Sequence, residues 1–127
     1  ELAEVLLVSP MRALDRKWCN FECSMAKHLE KKVLLATTTG LVQSGQVAPK
    51  QLQDMAAQVA AFDGRAAKCT NPDDAALIDA AIEGMGGYSM LNELIHAVFF
   101  NAITDAQDCV SSALREISKR AETGKAR

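Results

Sequence analysis

The sequence predicts an all-α protein: a compact antiparallel helical bundle of about four main helices, stapled by disulfides. Three observations lead there. Twenty-one of the 127 residues are alanine and few are β-branched, a composition that favours helix over strand. Four stretches carry apolar residues at three- and four-residue steps, the spacing of one helix face. The breaks between them fall on glycine, proline and capping residues. Amphipathic helices with short connections bury their stripes on one another, which makes a bundle. At 127 residues and 13.7 kDa the whole of 1–127 is one domain, with little room for a second core.

Residues 1–8, ELAEVLLV, hold a short apolar patch from Val5 to Val8 with no basic region before it. They read as a short first helix or the remnant of a processed segment, and not as a complete signal peptide. Ser9-Pro10 starts helix one, with serine as cap and proline in the first turn. Leu14, Trp18, Phe21, Met25, Leu29 and Val33 share a face, and Thr37, Thr38, Thr39 and Gly40 end the helix near residue 38. Residues 40–48 form a linker that lacks the lysine and hydroxyl of a phosphate-binding loop. Pro49 opens helix two, with Leu52, Met55, Ala56, Val59, Phe62 and Ala66 buried and an end near Cys69-Thr70.

Asn71-Pro72-Asp73-Asp74 is the clearest local signal: a cap, a first-turn proline, and two carboxylates at the positive end of the helix dipole. It opens helix three, 72–84, which Gly84, Gly86 and Gly87 terminate. Ser89 begins helix four with an incomplete capping box, because Asn92 stands where Glu or Gln is usual. Apolar periodicity from Leu91 to Ile117 makes this helix about 45 Å long. The basic tail 119–127 is expected to fray. No repeat of domain scale recurs, and no strict heptad demands a coiled coil. Adjacent Phe99 and Phe100 lie about 100° apart on the helix, so one enters the core while the other meets a short helix, residues 1–8 or a second subunit.

The four cysteines admit three complete pairings. Cys19 and Cys23, one turn apart on a helix, diverge too far to bond each other. Height along the bundle favours Cys19–Cys69 and Cys23–Cys109, which implies a secreted or periplasmic setting. No close C-x-x-C pair points to zinc.

Glu93 and His96 have the Glu-x-x-His spacing of di-iron bundles, but His28, preceded at that spacing by Met25, supplies no second copy. No nucleophile has a matched base and orienting carboxylate, and no metal, cofactor or catalytic residue is expected. A net charge of −2 excludes a basic nucleic-acid binder, and no apolar run reaches membrane-spanning length. Between Cys69 and Leu114 there are seven carboxylates and no lysine or arginine. The sequence therefore points to a non-catalytic protein–protein interaction domain, such as an inhibitor or neutralising partner, binding another protein or itself. Its candidate interface residues are Phe99, Phe100, Asp73, Asp74, Asp79, Glu83, Asp105 and Asp108. The alternative is a small carrier whose Met-, Ala- and Phe-lined interior takes an apolar molecule.

Overall fold

Two runs with nearly the same letters, EVLLV and KVLLAT, lie side by side. The computed structural model describes residues 4–125, and the side chains of 7–124. In it, β1 (Glu4–Val8) and β2 (Lys32–Thr37) are parallel neighbours, with Val5 opposite Val33 and Leu7 opposite Leu35. The expected all-α class is thereby corrected: the chain is mostly helical but carries a small three-stranded sheet. A continuous apolar run suits a strand covered on both faces, and parallel neighbours need a crossover between them. Residues 10–31 supply it. The single helix expected over 10–38 is therefore three elements: α1 (Pro10–Ala13), α2 (Lys17–His28) and β2.

Local chemistry sets each break. Ser9 takes a left-handed φ of 49° and makes no side-chain cap bond, so α1 lasts one turn. At the end of α2, Lys31 N–H donates to Ala26 C=O at 2.9 Å and Glu30 has φ 59°. That is a left-handed helix ending with glutamate where glycine is usual. The residues read as a first helix or remnant form β1 from Glu4, while 1–3 lie outside the described residues.

β3 (Gly40–Leu41) returns antiparallel on the end of β2. The rest of that β2 edge is met by one side chain. The Gln43 amide donates to Val33 C=O at 2.8 Å and accepts from Leu35 N–H at 3.1 Å, so it takes the place of a strand. Gln43 sits in a 3-10 turn, Val42–Ser44. Next comes α3 (Pro49–Ala60), shorter than expected, followed by a second 3-10 turn at Gly64–Ala66. Asn92 braces this turn: its Oδ1 accepts from Gly64 N–H at 2.9 Å and its Nδ2 donates to Asp63 at 3.1 Å. Lys68 then pairs with the start of α2, donating to Asp15 C=O at 2.7 Å and accepting from Lys17 N–H at 3.0 Å. α4 (Pro72–Gly84) has the bounds and cap the sequence predicts, with Asn71 Oδ1 accepting from Asp73 N–H at 2.9 Å. Gly86 and Gly87, with φ of 119° and 85°, turn the chain into α5 (Gly87–Lys125).

The core joins Leu35 and Val42 to Ile78 and Ile82 of α4 and to Leu91, Ile95, Phe99, Ala102 and Ala106 of α5. Ala106 is the last buried residue of α5, and every residue from Gln107 to Gly124 is exposed. Half of this helix thus stands clear of the body. The tail expected to fray from 119 is helical as far as Lys125, with 126–127 outside the described residues.

The expected staples are absent: Cys19, Cys23, Cys69 and Cys109 are all free thiols. The Lys68 pairing does bring Cys69 to the foot of α2, but its Sγ lies 3.3 Å from Asn71 C=O. Cys109 Sγ makes the equivalent contact with Ser44 C=O at 3.3 Å, on the exposed part of α5. Cys23 faces the core, where burial, followed by the neighbouring Cys19, pushes its thiol up to about 12. The disulfide argument for an oxidising compartment therefore has no bridges to stand on.

Candidate interaction surface

α5 crosses the body with one face and exposes another. At about 100° per residue, its core positions Leu91 to Ala106 fill one arc of the helix. A second row, Phe100, Ile103, Gln107, Val110, Leu114, Ile117, Ala121 and Gly124, starts on the adjoining arc and drifts by about 20° per heptad, so that Ile117 and Gly124 lie five turns beyond Phe99 and Ala106 on the same line. These positions alternate in steps of three and four over more than three heptads, the a and d pattern of a coiled-coil seam. Four of the side chains are large, apolar and open to solvent: Phe100 is 70% exposed, Val110 46%, Leu114 58% and Ile117 62%. Small residues flank much of the seam, with Thr104, Ser111 and Ser118 on one side and, on the other, Ala113 between the buried Ala106 and Arg120. A second helix can therefore approach closely.

The periodicity was legible in the sequence, which carries Val110, Leu114 and Ile117 on in the same helical run as Leu91 without saying what covers them. Only the end of the body near Ala106 turns the same letters into a surface. The aromatic pair divides cleanly: Phe99 is fully buried and Phe100 is the most exposed large apolar side chain described.

The acidic candidates do not form one patch around Phe100. Asp105 and Asp108 are exposed on α5, whereas Asp73, Asp74, Asp79 and Glu83 belong to α4. Asp73 and Asp74 occupy the first turn of α4, where the dipole accounts for them. Asp79 is half-exposed and engaged between helices. Lys17 Nζ donates to Asp79 Oδ1 at 3.1 Å and to Tyr88 Oη at 2.6 Å, and Tyr88 in turn donates to Asp79. The triad ties α2, α4 and α5 together.

These bonds shift all three groups. The Tyr88 hydroxyl, then Lys17, holds the Asp79 carboxyl below the ordinary carboxylate range. Burial raises Tyr88, and its bond to Asp79 adds to that. For Lys17, burial alone would lower the ammonium, but the bonds to Tyr88 and Asp79 outweigh it and leave it raised. A carboxylate depressed on folding stabilises above its unfolded pKa, about 4, and that contribution is lost as pH falls through the folded value. The stability difference between wild type and Asp79→Asn is accordingly expected to be constant near neutrality and to close below about pH 4. Denaturant melts across that range check it, and a difference independent of pH would contradict the assignment.

The other openings are surface clefts. The largest, about 520 Å³, lies between the end of α2, the start of β2 and α5, with Val33, Leu94 and Val98 as floor and Lys27, Lys31 and Lys32 at the rim. A second of about 320 Å³ sits where β1 and β2 end, beside Ser9, Arg12 and Asp54. Neither of these two clefts is lined by the Lys17–Asp79–Tyr88 triad. His96 stacks edge-on with Phe62 at 6.5 Å, and its Nε2 is buried without a partner. Glu93 points to solvent. Among the described residues, no three His, Cys, Asp or Glu side chains gather as metal ligands, and no helix is long and apolar enough to cross a membrane.

No protein-family model matches this sequence, and neither a curated protein nor a solved structure matches it at a significant level.

Proposed function

We propose that this protein is a non-catalytic interaction domain that docks an amphipathic helix of a protein partner along the free face of α5. One observation carries the reading: a heptad-spaced row of large apolar side chains continues past Val110, which lies against Gly45, to Leu114 and Ile117, which stand open to solvent. A stripe this long on a small domain marks an association surface rather than scattered surface hydrophobics. Helix energetics agree, since an isolated segment of about 15 residues is marginal in water and gains its stability by packing an apolar face. The folded body then acts as the mount that starts and orients the helix.

A labelled helical peptide with leucine at every a and d position is the direct probe. It is expected to bind the wild-type chain and to bind a Leu114→Asp/Ile117→Asp double variant at least about tenfold more weakly, a loss of about 1.4 kcal/mol or more. The body should be unaffected, because both residues are exposed and lie beyond the last core position. Equal binding to both proteins, or none to either, would overturn the proposal.

A further inference from the structure

We infer that the helix occupying this seam is α5 of a second copy, running antiparallel, with the two-fold axis beside Ser112. The inference rests on the docking reading above and names its partner. Charge along α5 favours this orientation. Residues 98–114 carry Asp105 and Asp108 and no base, while 115–125 carry four bases against two carboxylates. A parallel pair would set each segment beside its own copy. The antiparallel pair sets the net-negative segment against the net-positive one, with Asp105 level with the partner's Lys119, and also opposes the helix dipoles.

Side-chain size and the position of the body select the register. In antiparallel seams an a residue packs beside a d residue of the other helix. With the axis at Ser112, Phe100 meets the partner's Gly124, Ile103 meets the partner's Ala121, and Val110 meets the partner's Leu114. The bulkiest and most exposed side chain thus faces the only residue in the row without one, and Ile103 likewise faces a small residue. The body covers α5 as far as the Cys109 contact with Ser44. In this register the partner's equivalent point falls opposite residue 115, so the two bodies clear each other. A shift of one heptad one way brings the bodies level on the seam, and a shift the other way leaves Phe100 beyond the end of the partner helix. Gln107, the one polar residue in the row, falls opposite the partner's Ile117 in this register.

Light scattering over a concentration series is expected to show a monomer–dimer equilibrium for the wild-type chain. Orientation is read from spin labels on Glu122→Cys in a chain with Cys19, Cys69 and Cys109 changed to serine. The buried Cys23, with its thiol pushed up to about 12, stays unlabelled. Antiparallel pairing about Ser112 separates the two labels by about 30 Å along the axis, whereas parallel pairing brings them to about 10 Å. Register is read from Gly124→Phe. An added side chain there meets nothing within 4 Å in its own chain, so a loss of dimer affinity of about tenfold reports the facing Phe100. A monomer at every concentration overturns the inference, and peptide binding by that monomer would leave the docking reading standing. Labels near 10 Å overturn the orientation, and a dimer indifferent to Gly124→Phe overturns the register.

Discussion

Phe99→Ala is expected to cost about 3–5 kcal/mol, whereas Phe100→Ala leaves unfolding stability within about 0.5 kcal/mol. The two residues are chemically identical and adjacent, so the contrast isolates burial. Phe99 is completely enclosed in the core cluster with Ile95, Ala102 and Leu91. Removing its ring loses transfer free energy and leaves a cavity that rigid α-helical neighbours close only in part. For a domain whose total stability is about 5–15 kcal/mol, that is a large fraction. Phe100 is 70% exposed, so its truncation removes little packing within the monomer. Urea unfolding at a concentration below any self-association checks both. Equal losses would mean that the folded body covers Phe100, and the interaction surface would lose its anchor.

Gln43→Leu is expected to destabilise by about 2–4 kcal/mol, although it replaces a polar amide by apolar bulk. Gln43 satisfies two main-chain groups of β2 at once, Val33 C=O and Leu35 N–H, both flanked by buried side chains. A neutral hydrogen bond contributes modestly by itself. The larger cost is that of leaving a donor and an acceptor unpaired away from water. Gln43→Glu separates the two bonds. An ionised carboxylate still accepts from Leu35 N–H but cannot donate to Val33 C=O, so the loss should persist at neutral pH and shrink when acid protonates the glutamate. Denaturant midpoints with unchanged slope report this directly. A Gln43→Leu variant as stable as wild type would show that the β2 edge does not need the amide.

The sequence by itself determined the elements whose signals are local. Asn71-Pro72-Asp73-Asp74 fixed the start of α4 and the glycines after residue 83 fixed its end, because a cap, a preset φ and a left-handed exit act within one turn. It also determined that residues past Gly87 form one long helix and that only one of Phe99 and Phe100 is able to enter the core. Val-Leu-Leu at 5–7 and again at 33–35 was a strand signal, but a short apolar run fits a buried helix turn equally well. What decided between them was pairing: each run found the other as its parallel neighbour, a contact across nearly thirty positions of chain that no local propensity encodes. The cysteines followed the same logic. Their spacing ruled out one bridge, while the sites of Cys69 beside Asn71 and Cys109 beside Ser44 depended on where α3 stopped and where the body ended. The candidate surface is the sharpest case. Periodicity placed Val110, Leu114 and Ile117 on one face of a helix, and it says nothing about what lies over that face. Whether an apolar stripe is core or interface depends on how far the neighbouring elements reach, and here burial ends at Ala106 and contact with the body at Cys109 and Val110.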